Sequence, residues 1–256
     1  MVNLTRNLII GLSAAAMVVG CSSESSPAGD AASAQTSSIN YLEIVSFGEE
    51  NGTVYIGNPD AEVEFVEYAS LTCSHCAEFH NTVMPRIKQD YIATGKVRFV
   101  FQEFPTEPVQ IALAGFALAR CSGESGYLGT LDDFFANQAS IFDAGRTGNI
   151  QQALVELGER NGTKEADFEA CITSQEHRRA VAASVTYGQS KGVGSTPSLF
   201  LNGEALKGGD SRTPDGLARL IDNVLAGNPA IAPAVSTVPT ASTPPAETSS
   251  EAGSGS

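Results

Sequence analysis

Basic residues are scarce in this chain of 256 residues: 15 Lys and Arg stand against 29 Asp and Glu, a formal net charge of −14. A partner built on a phosphate backbone needs a cationic surface, so nucleic acid is excluded as a ligand. The acid excess reads as a solubility feature of an extracytoplasmic surface and names no substrate. Long apolar runs are missing too. The stretch from Leu8 to Val19 is too short and too poorly flanked to span a bilayer. No repeat of useful period occurs. Cysteine is sparse and odd in number, five in all, with a single C-x-x-C at Cys73 and Cys76. Without a second such pair, a four-ligand zinc site has too few donors.

The ends of the chain carry organisation rather than core. Met1 to Gly20 reads as a secretory signal, with Arg6 as a sparse positive start and Leu8 to Val19 as the short apolar segment. Val18-Val19-Gly20-Cys21 resembles the bacterial lipobox, which implies that Cys21 becomes a lipid-bearing first residue and tethers the mature chain. The plainer alternative is cleavage at Ala32-Ser33-Ala34, with Cys21 discarded and a soluble periplasmic product. Residues 21–40 have the Ser, Ala and Gly content of a flexible spacer. Residues 229–256 hold five of the twelve prolines among Ala, Ser and Thr and cannot bury a core. The folded unit is therefore expected over 41–228. Export places it in an oxidising compartment, where disulfides persist. With Cys21 assigned to lipid, four thiols remain. Cys73 pairs with Cys76, and Cys121 pairs with Cys171 by elimination. Joining Cys121 to Cys171 is expected to be a structural staple; a second redox pair is the alternative.

Within that unit the pattern predicts strands over Thr53–Gly57, Val63–Ala69, Val97–Phe104 and Ser198–Leu201, with turns at Asn58-Pro59-Asp60 and Asn202-Gly203. A helix is expected from Cys73 to about Tyr91, kinked or broken by Pro85. Five more are expected over Ile111–Arg120, Leu131–Phe142, Ile150–Arg160, Glu165–Thr173 and Gln175–Lys191, and a last one from Pro214 to about Leu225. The order is a βαβ half, a block of helices over about 107–192, and a ββα half. It predicts an α/β fold with one mixed central sheet and a helical insertion between the halves.

Cys73-Ser74-His75-Cys76 follows the apolar Glu64-Phe65-Val66-Glu67-Tyr68 and opens a helix. Unpaired N–H groups and the positive end of the helix dipole favour an anion there, so Cys73 is the candidate nucleophile, exposed and acidic, with Cys76 one turn in. His75 is expected to donate a hydrogen bond or positive charge toward the Cys73 sulfur. Glu67, on the face of its strand opposite to Glu62 and Glu64, is a candidate buried carboxylate that accepts the proton of Cys76. His80, four residues after Cys76, reads as a helix-surface side chain, and His177 beside Arg178 and Arg179 as a solvated face. A Cys2His zinc site through His80 is the competing reading of the C-x-x-C. Thr196-Pro197 opens a strand, where a proline costs no ladder hydrogen bond and its peptide bond can be cis.

Gly57-Asn58-Pro59-Asp60-Ala61, the C-x-x-C and Val193-Gly194-Ser195-Thr196-Pro197-Ser198 leading to Phe200-Leu201-Asn202-Gly203 together resemble the DsbA-like branch of the thioredoxin superfamily, over about residues 53–225. The resemblance implies a thioredoxin fold, a cis-proline at Pro197 facing the dithiol, and Thr196 and Pro197 as contacts for an extended substrate segment. It further implies an extracytoplasmic thiol:disulfide oxidoreductase, active as a monomer on reduced or misoxidised exported proteins without cofactor or metal. A membrane redox partner would reset the dithiol. Ser74 stands where many members have proline, and Thr196 resembles the isomerase and reductase branches as much as the oxidases. An isomerase or reductase is therefore the rival within the class, and a metal carrier or holdase using the same cysteines is the rival outside it.

Overall fold

Val63-Glu64-Phe65-Val66-Glu67-Tyr68-Ala69 alternates β-branched and aromatic residues with glutamates, and it forms the inner strand of the sheet with Phe65 fully buried. The computed structural model describes residues 40–48 and 51–230. The expected signal segment, Cys21, the spacer short of residue 40 and the tail beyond Ala230 lie outside the described residues.

Six strands make one mixed sheet in the order β1-β2-β4-β3-β5-β6. They are β1 (Val45–Phe47), β2 (Val54–Gly57), β3 (Val63–Ala69), β4 (Val97–Glu103), β5 (Ser198–Leu201) and β6 (Glu204–Ala205). Strands β3 and β4 pair in parallel from Val63↔Val97 to Ala69↔Glu103, and β2 and β5 flank them antiparallel. The crossover between β3 and β4 is α1 (Ser74–Thr82), α2 (Met84–Ile87) and a π turn over Lys88–Ile92. The break falls at Val83, and Pro85 sits in the first turn of α2, where its missing N–H is not needed. After the helical insertion, β5, β6 and α9 (Pro214–Leu225) complete the second half. Thr213 caps α9 by accepting from the Gly216 N–H at 3.1 Å.

The turns use the chemistry their sequences advertise. Gly57 has φ +106, and a Cβ there would lie 3.0 Å from the Val97 carbonyl oxygen, so the approach of β2 to β4 requires glycine. Asn58 Oδ1 then accepts the Asp60 N–H at 3.0 Å. Asn202 adopts φ 45 and its Oδ1 accepts the Glu64 N–H at 2.7 Å, which ties the β5–β6 turn to the edge of β3.

The insertion comprises α3 (Val109–Cys121), α4 (Gly123–Ala136), α5 (Gln138–Thr147), α6 (Ile150–Arg160), α7 (Phe168–Ile172) and α8 (Gln175–Ser190). Two expectations are corrected here. The single helix over Leu131–Phe142 is two helices meeting at Asn137, whose side chain bonds back to Asp133. The expected start at Leu131 is also too late: the helix begins at Gly123, and at Gly126 a Cβ would lie 3.2 Å from the Asn161 carbonyl oxygen. Strand β1 was not expected either; it is three residues long and pairs only at the edge.

The core between sheet and insertion is aromatic. Phe65 stacks on Phe99 with centroids 5.5 Å apart, and Phe101 contacts Phe116 and Tyr127 edge-on. Each of these rings is fully buried, so truncating one to alanine costs about 3–5 kcal/mol. A charged cluster interrupts the core at the insertion. Arg120 of α3 places its guanidinium on buried Glu103 of β4 at 2.8–3.0 Å, and Tyr127 donates to the same carboxylate at 2.9 Å. No helix among the described residues is long and apolar enough to cross a membrane.

Candidate active site

Strand β3 ends at Ala69, and four residues later Cys73 is the N-cap of α1, with φ −85 and ψ 119. The chain turns there because Ser70 Oγ accepts the N–H groups of Thr72 and Thr106, while Thr72 Oγ1 donates to the Thr106 carbonyl. Gln138 of α5 reaches across from the insertion and donates Nε2 to the carbonyls of Leu71 (2.7 Å) and Cys73 (3.1 Å). The inserted block thus holds the loop that presents the cysteine.

Cys73 caps its own helix. Its sulfur accepts the Cys76 N–H at 3.3 Å, the part a serine or aspartate side chain plays at other N-termini. Both cysteines are free thiols, Cys73 partly exposed and Cys76 buried. Their acidities diverge. The hydrogen bond from the Cys76 side chain brings the Cys73 thiol down to about 5; burial opposes this, and the Thr196 side chain and the backbone N–H groups of Cys76 and His75 reinforce it. Burial drives the Cys76 thiol far above the ordinary range, and the hydrogen bond to Cys73 and the charge of Glu67 push the same way. One sulfur is an anion at neutral pH and its neighbour is held as a thiol.

Thr196-Pro197 is a cis peptide, as is Glu107-Pro108. The Thr196 carbonyl lies 3.4 Å from the Cys73 sulfur and accepts from its thiol form. Arg212, just before α9, donates Nη2 to the Pro197 carbonyl at 2.8 Å. Beside the dithiol a groove of about 390 Å³ runs between α1 and this loop, with His75, Glu78 and Phe79 on one wall and Thr196, Pro197 and Arg212 on the other.

The remaining candidate residues fall in different places. The imidazole of His75 is 77% exposed and faces Glu78 at 3.8 Å; what reaches the Cys73 sulfur from this residue is its backbone N–H. Glu67 is fully buried, and its charge acts on Cys76. His80 corrects the reading of a helix-surface residue: it is 4% exposed, and its Nε2 lies 2.9 Å from Glu67 Oε2. The helix turns that face toward the sheet, so the ring goes to Glu67 and not to the cysteines. His177 is also no solvated side chain. It is half-buried, with Nδ1 3.9 Å from the sulfur of Cys121, and Cys121 and Cys171 are bonded to each other at 2.04 Å. Cys21 lies outside the described residues. Gln138, Arg212 and the inward His80 were missed. Only the i, i+4 spacing of His80 from Cys76, on a helix whose other side meets a buried strand, signalled anything beforehand.

The arrangement can exchange sulfur bonds: an ionised, partly exposed sulfur, a protonated one behind it, and an open groove alongside. A family model described as thioredoxin matches residues 49–223. A Rickettsia bellii protein named as a protein-disulfide oxidoreductase is 29% identical over 161 residues, which are 62% of this chain and 60% of that protein. The chain thus spans less than two thirds of that relative's length. Among solved structures, alpha-DsbA1 of Wolbachia pipientis superposes with a TM-score of 0.58 at 22% identity, covering 73% of this chain and 96% of that one. Oxidised BdbD of Bacillus subtilis superposes at 0.57 with 18% identity, over 72% and 99%. With the match running from β2 into α9 and the superpositions covering 72–73% of the chain, the chain belongs to the thioredoxin family and has the DsbA-like form of its fold.

Proposed function

We propose that this protein is an extracytoplasmic thiol:disulfide oxidoreductase that donates a Cys73–Cys76 disulfide to reduced exported proteins. The observation that carries the reading is the divergence of the two thiols, with Cys73 down at about 5 and Cys76 far above the ordinary range. A thiolate this well stabilised is a good leaving group and favours the reduced form of the pair, so the disulfide is a strong oxidant.

In the proposed cycle a substrate thiolate attacks Cys73, and the Cys73–Cys76 bond breaks with its electron pair on Cys76, which takes up a proton. A second substrate thiolate then attacks the substrate sulfur of the mixed disulfide. Cys73 departs as a thiolate, and the substrate leaves with its new disulfide. Thr196 and Pro197 line the groove where an extended substrate segment would run, and Arg212 holds their loop. When the disulfide is remade, Glu67 serves as the acceptor for the Cys76 proton. The folded body over residues 41–228 would be tethered to a membrane through lipidated Cys21, with a membrane-bound partner of the quinone-linked class restoring the disulfide.

The test is the equilibrium of the Cys73/Cys76 pair in glutathione buffers, read by trapping free thiols. An oxidising potential, well above the roughly −270 mV of thioredoxin, is expected. A value near thioredoxin's would reverse the direction and make the protein a reductase.

A further inference from the structure

A row of ionisable groups leads from Glu67, whose charge acts on the buried Cys76 sulfur, to the surface. Glu67 of β3 and His80 of α1 have side chains 0% and 1% exposed and meet at 2.9 Å through Oε2 and Nε2. The other oxygen of Glu67 and the other nitrogen of His80 have no hydrogen-bond partner among the described residues. That nitrogen, Nδ1, lies 3.8 Å from Oδ1 of Asp132 on α4, whose side chain is 43% exposed and ion-paired with Lys88. Phe135 stacks on the imidazole at 4.1 Å, and Phe101 closes its edge. Stability does not explain this row. A buried ionic pair is commonly no better than an apolar pair of the same volume, and each unpartnered buried atom costs more.

We propose that His80 carries protons between Glu67 and solvent-facing Asp132 each time the Cys73–Cys76 disulfide opens or closes. The idea rests on the redox reading above. When a substrate thiolate bonds to Cys73, the electron pair of the broken S–S bond stays on Cys76, a buried site that cannot keep an anion. A proton passes from His80 Nε2–H through the Glu67 carboxyl group to this sulfur, and Nδ1 takes up a proton on the Asp132 side. On reoxidation the Cys76 thiol loses its proton along the same row, attacks the mixed disulfide between Cys73 and the oxidising partner, and releases the partner's thiolate. An imidazole suits this passage because its two nitrogens face opposite sides and exchange donor and acceptor roles.

The charged and titratable groups around the ring are Cys76 on its own helix, Glu67 from β3, Asp132 from α4 and Lys88 from the turn after α2. Burial and Lys88 disfavour the imidazolium, but the Glu67 carboxylate, with Asp132, outweighs them and the His80 pKa is raised. The ring therefore binds a proton readily despite its apolar cover. His80 acts through Glu67 and is a positioning residue, not a group that touches substrate.

The experiment is single-turnover disulfide transfer from the oxidised full-length protein to a dithiol peptide, followed against pH for wild type, His80→Gln and Asp132→Asn. Transfer by His80→Gln should fall roughly a hundredfold near neutrality. Free imidazole should restore part of the rate, and Cys73 should still alkylate with a midpoint of about 5. Asp132→Asn should show a smaller loss of the same kind. An unchanged rate and pH profile in His80→Gln overturns the proposal, and so does a loss matched by an equal shift of the Cys73 midpoint. Should His80→Gln fail to fold, half-exposed Asp132 decides, and a wild-type rate in Asp132→Asn overturns the proposal. Wild-type protein that transfers no disulfide sinks the functional reading first and this one with it.

Discussion

The sulfur of Cys73 lies 3.4 Å from the carbonyl oxygen of Thr196, across 123 positions of sequence. The nucleophile's surroundings are therefore built from both halves of the fold. The carbonyl accepts from the thiol, while the Thr196 side chain and the Cys76 and His75 N–H groups favour the thiolate. Alkylation of the reduced protein by iodoacetamide, followed from pH 3 to 9, should titrate with a midpoint of about 5. Cys73→Ser should leave no fast-reacting thiol, and transfer to unfolded test proteins should stop. A midpoint near that of a free cysteine would remove the basis of the functional reading.

Because the folded Cys73 thiol sits at about 5, below its ordinary value of 9.0, the unfolded chain binds more protons between those limits. Stability of the reduced form from this group is fully present above about pH 9 and is lost as pH falls through about 5. The oxidised form has no such thiolate. The melting temperature of reduced relative to oxidised protein should thus rise from pH 4.5 to pH 8, and Cys73→Ala, which cannot form the disulfide, should lack the corresponding rise in its own melting temperature over that range. A flat difference in wild type would contradict the acidity. Cys73 is half exposed, so solvent screening makes the effect smaller than the shift alone implies.

The bond between Cys121 and Cys171 ties the end of α3 to α7 across 50 positions. As a staple it contributes about 4 kcal/mol in the chain-entropy view. The double variant Cys121→Ala/Cys171→Ala should lose roughly 2–5 kcal/mol in denaturant unfolding and keep the Cys73 alkylation midpoint. If transfer activity falls with little change in stability, the pair takes part in exchange and is no staple.

Glu103 and Arg120 are 0% and 7% exposed at the side chain, and each neutralises the other. Removing one leaves an uncompensated charge in the core. Glu103→Leu should cost about 3–5 kcal/mol, and Glu103→Leu/Arg120→Met should recover much of that loss. The comparison is made by urea unfolding; a double variant no more stable than the single one would show that Arg120's bond to the Gly52 carbonyl, 2.8 Å long, matters more than the ion pair.

Much of this architecture was legible in advance because it depends on neighbours in sequence. The alternation of Val63 to Ala69, the Asn58-Pro59-Asp60 turn, the Thr213-Pro214 helix start and the C-x-x-C at the beginning of a helix each state their local structure through their own residues. The early start of α4 at Gly123 was not legible, since glycines at 123, 126 and 129 have a low helix propensity and give no helix signal. The split at Asn137 was hidden because the apolar pattern runs on through it.

What the sequence determined by itself was the kind of chemistry: two thiols one turn apart, one of them at a helix N-terminus where backbone N–H groups are left to bind an anion. What only the tertiary structure decided was which side chains surround those thiols. Burial of Cys76, the inward turn of His80 onto Glu67, the grip of Gln138 on the Cys73 carbonyl and the support of Pro197 by Arg212 all join residues from separate elements. Acidity and proton access depend on solvent exclusion and on charges a few ångströms away, and those distances exist only after the sheet and the inserted helices have packed together.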